Sequence, residues 1–408
     1  MKKAIKYLSG MKSRCFMLLT CLILMVGATS CSSDDFGTNL PDDPKQLSKA
    51  ELIQQALSRM PQTRGENPNA VVMVTTKKDV IIRGVATEDM TIYWDTEGTE
   101  PITKGTFELP YHFTIDEPVY CIHIKGSEKA IMWLLVNDSE LIHLNVENNT
   151  EIEYLDCGKN KLDSLSLTGC PNLKIIRAQE NELSSIDVTQ LPLLEDLFLE
   201  INHLRSLDVS QNPNLQSLQV EYNWLTGIDV SKNPNLRTLE VGGNNITDLD
   251  LLKNRNLRRI SIESLYLKTL NKLSVGSTSF AYFPNLEEID VSYTDFTSLD
   301  LSNNPFVYGI DIDGTAITQL DISDLSIEYL HASFSNLTNL SSTTASLKDA
   351  YDLRIDMTPF ENNTTAFYYF LDKLPDRTGL LEGQLWTYSS IPNGYRLDLN
   401  RRNWKIYQ

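Results

Sequence analysis

Residues 194–210 read Leu-Glu-Asp-Leu-Phe-Leu-Glu-Ile-Asn-His-Leu-Arg-Ser-Leu-Asp-Val-Ser, and this phrase recurs with substitutions along residues 131–340. Its asparagine returns every 21 residues, at Asn160, Asn181, Asn202, Asn223 and Asn244. A unit this short cannot bury its own apolar side chains, so it must stack on its neighbours. The repeat therefore predicts a solenoid of about ten turns.

Each repeat places its apolar residues at fixed distances from the asparagine. For Asn202 these residues are Leu194, Leu197, Leu199, Leu204 and Leu207. The Leu-x-Leu alternation is typical of a short strand whose leucines point inward. Strands stacked one per repeat would form a long parallel sheet on the concave face of the solenoid. We expect the asparagine amide to bond the backbone of the adjoining turn, so that stacked copies form a ladder.

A second polar column lies ten residues after the first slot and consists of Asn212, Asn233, Asn254 and Asn304. Proline follows three of these four residues, which predicts a turn on the convex side. The full pattern, Leu-Asp-Val-Ser-x-Asn-Pro in units of 21 residues, resembles the leucine-rich-repeat family, in the form found in surface proteins of Bacteroidetes-like bacteria. The resemblance covers residues 131–340. It implies a binding scaffold, because leucine-rich repeats serve mostly that purpose.

Residues 1–30 have the pattern of a secretory signal, with basic residues at the start, an apolar run over residues 16–26 and small residues before Cys31. Either Met1 or Met11 could be the start. The run Ala-Thr-Ser-Cys that ends at Cys31 resembles the lipobox of bacterial lipoproteins. The resemblance implies cleavage before Cys31 and acylation of that residue. Ordinary cleavage, which would leave Cys31 free or paired, is the alternative.

Localisation and partners are predicted from the residues after Cys31 and from the charge. Residues 32–35, Ser-Ser-Asp-Asp, resemble the export signal that carries Bacteroidetes lipoproteins to the outer face. This resemblance implies a lipid-anchored outer-membrane protein that faces the cell exterior, with a periplasmic orientation as the alternative. The formal net charge is −18, so nucleic acid and bare anionic membrane are poor partners. Membrane attachment must then come from the acyl chains.

The rest of the chain divides by composition. Residues 31–46 are polar and predict a tether, and residues 47–68 predict a short helix, opened by a capping box, and a linker. Residues 69–130 hold short β-rich runs separated by turns, which predict a small antiparallel β-sandwich that caps the first repeat. Residues 341–408 combine a helical stretch with short strands and predict a C-terminal α+β cap.

The sequence argues against catalysis. Only five histidines are present, none with metal-ligand helical spacing, and no phosphate-binding loop or nucleophile motif occurs. Carboxylates are so abundant that close pairs arise by chance. We therefore predict a non-enzymatic protein without a metal or a cofactor. Cys157 and Cys170 fall in repeat slots for packed side chains and are predicted to be buried thiols.

Outward positions of the predicted sheet, together with Tyr222 at a strand end beside them, supply the candidate ligand-binding residues. These are Tyr154, Arg177, Phe198, Glu200, Gln219, Glu221, Tyr222, Glu240 and Glu263. Aromatic side chains carry much of the energy of protein interfaces. Carboxylates aligned across neighbouring strands would favour a basic partner or bound cations. The first hypothesis is a monomeric adhesion or recognition protein that binds a protein ligand on this face. A lipoprotein that captures glycans for nutrient uptake is the alternative, and a solvated acidic face also agrees with the pattern.

Lipid attachment can be tested by replacing Cys31 with serine, which lacks the thiol that the lipid modifies. We expect the wild-type chain to enter the detergent phase when membranes are solubilised and phase-separated, and Cys31→Ser to remain in the aqueous phase. Cys15→Ser, within the predicted signal, is the matched control and should partition like the wild type. Unchanged partitioning of Cys31→Ser would contradict the lipid anchor.

Overall fold

The computed structural model describes residues 47–59, 71–127, 129–263, 272–274, 280 and 283–408. All of these except Leu47 belong to one unit, Ser48–Gln408. The predicted signal, Cys31 and the predicted tether lie outside the described residues.

The first described elements are a helix and an antiparallel β domain. They are α1 (Lys49–Arg59), β1 (Val71–Thr75), β2 (Asp79–Ala86), β3 (Met90–Trp94), β4 (Thr99–Ile102), β5 (Gly105–His112), β6 (Tyr120–Lys125), β7 (Ile131–Leu135) and β8 (Leu141–Asn145). One sheet has the order β4-β3-β6-β1-β8, and β5, β2 and β7 are neighbours in a second sheet. Apolar residues of both sheets belong to one core. Within that core Trp94 stacks on Tyr111 with ring centroids 4.1 Å apart.

Helix α1 packs on this domain through Ala56, which is buried against Val74 and Val119. The predicted capping box is present, because the Ser48 backbone N–H donates to the Glu51 carboxylate at 2.8 Å and the Ser48 hydroxyl accepts the Glu51 N–H at 3.3 Å. At the other end of the helix, the Arg59 guanidinium binds the buried Asp95 carboxylate in a bidentate pair, with N···O distances of 3.1 and 2.8 Å.

The solenoid begins after β8, and its strands are short. In chain order they are β9 (Tyr154–Asp156), β10 (Ile175–Arg177), β11 (Asp196–Phe198), β12 (Ser217–Gln219), β13 (Thr238–Glu240), β14 (Asp248–Asp250), β15 (Arg259–Ser261), β16 (Lys272–Ser274), β17 (Glu288–Asp290), β18 (Gly309–Asp311), β19 (Gln319–Asp321), β20 (Tyr329–His331), β21 (Asn339–Ser341), β22 (Asp352–Arg354), β23 (Gly383–Trp386) and β24 (Trp404–Tyr407). The pairs β14–β16 and β19–β21 form two small parallel sheets.

One fifteen-stranded sheet runs along the molecule in the order β5-β2-β7-β9-β10-β11-β12-β13-β15-β17-β18-β20-β22-β23-β24. Strand β2 pairs antiparallel with β5 and β7. Every other neighbouring pair in this sheet is parallel. The predicted solenoid with a long parallel sheet is therefore confirmed.

The inward slots of the repeat form the core. Leu197 pairs in register with Leu218, and Leu218 with Leu239. All three side chains are buried, so the leucines of successive turns stack in columns. The last apolar slot differs, because Leu207 and Ile228 are only partly buried at the turn that leaves the core.

The asparagine slot forms the predicted ladder. The side-chain carbonyl of Asn202 accepts from the Leu183 N–H of the preceding turn at 3.0 Å. Its amide donates to the Ala178 carbonyl at 3.0 Å and to the Leu199 carbonyl at 3.1 Å. Asn160, Asn181, Asn223 and Asn244 make the same kind of contacts with the turn before them. Each asparagine thus satisfies backbone groups that the bend after the strand leaves open.

The second asparagine column is a ladder as well, and it is buried. Asn233 donates to the Val209 carbonyl and to the Asn212 carbonyl, both at 2.9 Å. The aspartate of Leu-Asp-Val-Ser closes the adjoining turn on the surface. Asp208, for example, accepts the Ser210 N–H at 2.9 Å, and these hydrogen bonds lower the pKa of its carboxyl.

Cys157 and Cys170 are free, buried thiols, as is Cys121. Burial raises the pKa of Cys170 to about 11, so that its side chain remains a thiol at neutral pH. Its Sγ lies 3.1 Å from the Val146 carbonyl oxygen, in the position that asparagine occupies in later turns.

The long sheet continues past both predicted ends of the repeats. On one side it includes β2 and β5 of the antiparallel domain. On the other it includes β22, β23 and β24, beside a 3-10 turn (Phe360–Asn362), α2 (Thr364–Asp372) and α3 (Asn393–Arg401). Trp404 closes this end of the core and donates from its indole N–H to the Pro375 carbonyl at 2.8 Å.

Candidate binding surface

The outward side chains of the long sheet, here called the concave face, lie in three rows fixed by the strand register. The first row contains Trp133, Tyr154, Ile175, Asp196, Ser217, Thr238, Arg259, Glu288, Gly309, Tyr329 and Asp352. The second row contains Leu135, Asp156, Arg177, Phe198, Gln219, Glu240, Ser261, Asp290, Asp311, His331 and Arg354. The third row lies two residues beyond the second and contains Gly158, Gln179, Glu200, Glu221, Gly242, Glu263, Ser292, Asp313 and Ser333.

The register therefore brings most of the sequence-predicted residues together. Arg177, Phe198, Gln219 and Glu240 are neighbours in the second row, on four adjacent strands. Glu200, Glu221 and Glu263 share the third row, and Tyr154 lies in the first. Tyr222 follows the third row and has a left-handed backbone with φ of 54°, in line with Ile201 at 56°.

The end of the concave face nearest the antiparallel domain is aromatic and apolar. The Trp133 side chain remains 46% exposed, and its ring is tilted against that of Tyr154 with centroids 6.0 Å apart. The Arg177 guanidinium lies over the Phe198 ring, 4.5 Å from its centroid. Tyr154 and Phe198 are half-buried, so each presents part of its ring to solvent.

The middle of the face differs from the sequence-based expectation. Glu221 and Glu240 were predicted to be exposed, and that prediction is wrong, since they are only 3% and 1% exposed. The Arg259 guanidinium lies 3.4 Å from Glu240 and also pairs with Glu288. Arg259 lies on β15, which is the neighbour of β13 in the sheet, so its guanidinium covers Glu240 and balances the charge of that carboxylate. An alternation rule cannot foresee this cover, because it comes from neighbouring repeats.

Two glycines shape the same region. A Cβ on Gly243, whose φ is 64°, would lie 2.5 Å from the Tyr222 ring, and one on Gly242 would lie 2.5 Å from the Glu263 side chain. Tyr222 and Glu263 thus lie flat over backbone that lacks side chains, and the Tyr222 hydroxyl donates to Glu263. Burial and the nearby Glu263 charge raise the pKa of Tyr222. Tyr222 is accordingly a packed part of the surface rather than a projecting ring.

Glu288 repeats this arrangement further along. The Tyr308 and Tyr329 hydroxyls donate to its two carboxylate oxygens at 2.7 and 2.8 Å. Gly309 leaves the space for the Tyr329 ring, since a Cβ there would lie 2.3 Å from it. Burial would raise the pKa of Glu288, but these hydrogen bonds and Arg259 lower it.

The far end of the face holds a buried histidine between two carboxylates. The His331 Nδ1 lies 2.9 Å from Asp311, and its Nε2 lies 3.3 Å from Asp352. Arg354 binds Asp352 through two N···O contacts of 3.2 and 3.1 Å. Burial alone would lower the pKa of His331, but the two carboxylates raise it to about 9. His331 and Arg354 in turn lower the pKa of Asp352 to about 2 against the effect of burial. His331 is therefore cationic at neutral pH.

Two further carboxylates at this end are not compensated to the same degree. Burial, then repulsion from Asp311 and Glu263, raises the pKa of Asp290 well above its usual range. Burial, then repulsion from Asp311, raises the pKa of Asp313 to about 8. Asp313 is therefore largely protonated at neutral pH, and the ionised form of Asp290 is disfavoured as well.

A polar groove lies on another side of the solenoid, where the chain enters the strands. It has a volume of about 370 Å³ and is lined by Glu195, Asn214, Gln216, Asn235, Arg237, Asn256, Arg258 and Asn285. The asparagines are held in place, because Asn214, Asn235 and Asn256 each donate to a proline carbonyl of the preceding turn at 3.0 Å.

Sequence reasoning missed residues at both ends of the face. Trp133 belongs to the face because it pairs with Tyr154, 21 residues later, so the repeat period itself was the signal that could have found it. Asp352 and Arg354 lie on β22, which was assigned to the cap because the 21-residue spacing ends before it. Within the described residues, no group of three or more His, Cys, Asp or Glu side chains is arranged to hold a metal ion. No helix in the described part of the chain has the length and apolar character needed to cross a membrane.

The charge of His331 predicts a pH dependence of stability. Its pKa rises from 6.5 to about 9 on folding, so its contribution is complete below pH 6.5 and is lost as the pH rises through 9. The free energy of unfolding is measured with denaturant for the wild type and for His331→Gln. The wild type should be the more stable of the two, and the difference should be largest near pH 6 and shrink toward pH 10. His143→Gln is the control of opposite sign, because burial lowers the pKa of His143. The stability difference between the wild type and His143→Gln should shrink as the pH falls below 6.5. A His331 difference that grows with pH would contradict this assignment.

Comparison with known proteins agrees with the architecture. A family model described as Leucine Rich repeat matches residues 232–253. The functional domain of InlJ from Listeria monocytogenes is similar over 67% of this chain and 63% of its own, at 22% identity with a TM-score of 0.50. A leucine-rich-repeat protein of Leptospira interrogans is similar over 64% of this chain and 67% of its own, at 19% identity with a TM-score of 0.48.

This chain therefore spans less than two thirds of the InlJ domain, and that likeness concerns the fold alone. No curated protein matches the chain. The repeats, the matched segment and the shared fold together give this chain a leucine-rich-repeat fold.

Proposed function

We propose that this protein is a non-enzymatic, lipid-anchored binding protein of the cell surface that recognises a protein ligand on its concave face. The observation that carries the proposal is the concave face itself, where aromatic, basic and acidic side chains are fixed on adjacent strands of one sheet. Leucine-rich-repeat scaffolds typically use such extended concave surfaces for binding.

The chemistry of the face supports a protein ligand. Trp133, Tyr154 and Phe198 offer flat apolar area at one end, which is the kind of contact that carries most energy in protein interfaces. At the other end, a cationic group of a ligand would favour ionisation of Asp290 and Asp313, because it would lower their raised pKa values. A protein surface that carries both apolar and basic side chains fits the two ends of the face.

Attachment through Cys31 is part of the same proposal and rests on the sequence. The small residues before Cys31 and the polar stretch after it support acylation, export and display of the folded repeats at the outer membrane. Two acyl chains bind a bilayer far more stably than a single chain does.

Glycan capture is the second candidate, and the polar groove supports it. The groove offers fixed amides and the guanidinium groups of Arg237 and Arg258, which can bond hydroxyl groups. It lies away from the concave face, so the two candidates predict different sensitive residues.

A binding screen tests the proposal with the full-length chain purified in detergent and probed on protein and glycan arrays. We expect a protein ligand whose affinity falls by about tenfold or more in Phe198→Ala. Its association rate should fall with added salt, because the acidic chain attracts a basic partner. Its affinity should rise as the pH passes 8 in the wild type but not in Asp313→Asn, because a basic partner favours the ionised form of Asp313. The matched control is the double variant Asp208→Asn with Asp229→Asn on the convex turns, where the amide can still accept the serine N–H.

The outcomes separate the candidates. Loss of binding in the convex control, with Phe198→Ala unaffected, would contradict a site on the concave face. A glycan ligand whose binding is insensitive to salt and is lost in Arg237→Ala would favour the groove instead.

A further inference from the structure

The residues that follow each ladder asparagine lie beyond the bend that ends the strand, and hydrogen bonds hold them in register from turn to turn. The His203 N–H donates to the Leu183 carbonyl at 2.9 Å, and the Trp224 N–H donates to the Leu204 carbonyl at 2.8 Å. Leu204 stands between His203 and Arg205 in the chain, so the second bond places Trp224 beside both residues. The outward side chains of these segments, here called the flank patch, are Ser184, His203, Arg205, Ser206, Trp224 and Thr226.

Trp224 presents a flat aromatic ring in the flank patch. The His203 ring stacks on it with centroids 4.8 Å apart and an interplanar angle of 18°. The Arg205 guanidinium lies 5.0 Å from the centroid of the Trp224 ring. Both of these neighbours belong to the preceding turn, whereas the following turn carries the shorter Asn245 side chain in the same position of the repeat. Trp224 remains 39% exposed, so part of its ring is open to a ligand.

Arg205 brings a positive charge that no carboxylate of the described residues balances. It is exposed, and within the described ranges it forms no ion pair. The acidic residue of the preceding turn is Glu182, and Lys49 already binds its carboxylate at 3.2 Å. The planar Arg205 guanidinium therefore presents N–H donors in the fork geometry that matches a carboxylate.

The net charge of the chain, −18, does not oppose an anionic group at this position. At physiological ionic strength the Debye length is about 8 Å, so charges on distant parts of the surface are largely screened. A carboxylate in contact with Arg205 interacts mainly with that guanidinium.

The surroundings of Trp224 fit a sugar better than a protein. Ser184, Ser206 and Thr226 are exposed, and their hydroxyl groups both donate and accept hydrogen bonds. An aromatic anchor in a protein interface lies instead in a well-packed, desolvated pocket. The three turns cover roughly 10 Å at about 4.8 Å per turn, and five residues of a turn extend at most about 18 Å. The patch is thus far smaller than the roughly 800 Å² that each partner of a stable protein interface buries.

On this basis we infer that the flank patch binds an acidic sugar, whose ring packs on Trp224 and whose carboxylate is bound by Arg205. A pyranose ring has C–H groups on its faces, which pack on an aromatic ring, and hydroxyl groups at its rim, which the serine and threonine hydroxyls can bond. The inference goes beyond the proposed protein recognition, because it concerns another surface and another class of ligand. It also differs from the polar groove, which is lined by other residues.

An oligosaccharide array probed with the full-length chain in detergent tests the inference. The array carries oligosaccharides that contain uronic or sialic acids, each beside its carboxyl-reduced counterpart, in which the carboxylate is replaced by a hydroxymethyl group. We expect at least one acidic oligosaccharide to bind. Its carboxyl-reduced form should bind about tenfold or more weakly, because the charge-assisted hydrogen bonds to Arg205 are lost. Calorimetry with the bound oligosaccharide and its reduced form then gives the affinities for the variants.

Two substitutions separate the contributions of the ring and the charge. Trp224→Ala should weaken binding of the acidic oligosaccharide by about tenfold or more, and Trp224→Tyr, which keeps a flat ring, should retain most of the affinity. Arg205→Gln should abolish the preference for the acidic form over the reduced form. Lys253→Gln, which removes one positive charge from an exposed convex turn, is the control and should leave the affinity unchanged. Melting temperatures identify any variant that fails to fold.

The contrary outcomes are distinct from one another. Equal binding of the acidic and reduced forms, or no binding of any acidic oligosaccharide, would overturn the inference. Affinity that is lost in Arg237→Gln and kept in Arg205→Gln would also overturn it, and would place the ligand in the polar groove. Binding of a polyglutamate peptide through Arg205 and Trp224, with no glycan bound, would replace the sugar by an acidic protein segment. Because none of these outcomes involves Phe198, each leaves the proposed concave site to its own test.

Discussion

The structure depends on how each turn satisfies the backbone where its strand ends. A strand of three residues is followed by a sharp bend, and the N–H and carbonyl groups at that bend are buried between turns. Asn202 meets this demand by bonding the Leu183 N–H and the Ala178 and Leu199 carbonyls from one amide. A buried polar group without a partner costs about 1–3 kcal/mol, so this side chain has few substitutes. Serine and threonine replace it at Thr294, Thr315 and Ser335, where a hydroxyl donates to one carbonyl only.

The ladder also determines the concave face. Because it holds successive turns in one register, the Arg177 guanidinium lies over the Phe198 ring, and Arg259 forms ion pairs with Glu240 and Glu288. Side chains on this face are therefore placed by strands rather than by loops, which favours a preorganised surface. The glycines at 242, 243 and 309 add the space in which Glu263, Tyr222 and Tyr329 lie flat. The resulting surface carries exposed aromatic rings at one end and is internally paired in its middle, and its other end holds a buried histidine among carboxyl groups.

The sequence predicts the contacts that recur with the repeat period, and it does not predict the contacts that lack this period. Leu218 and Asn202 occupy slots that recur every 21 residues, so their burial and their ladder contacts could be foreseen. The burial of Glu240 could not, because it depends on a particular side chain of the neighbouring turn, Arg259. Trp133 pairs with Tyr154, 21 residues later, so its place on the face could have been foreseen, whereas the pairing of β7 with β2 has no period. Asp352 joins His331 across β20 and β22, where the spacing of the strands departs from that of the repeats.

Hydrogen exchange measured on Asn202→Ala tests most directly whether the ladder holds the turns. Loss of its side-chain hydrogen bonds leaves the Leu183 N–H without this acceptor, so peptides covering residues 178–204 should exchange roughly 5- to 150-fold faster, in proportion to about 1–3 kcal/mol. Asn214→Ala removes a single exposed bond to the Pro192 carbonyl and should leave exchange nearly unchanged. Equal exchange rates in Asn202→Ala and the wild type, or equal acceleration in both variants, would contradict the account.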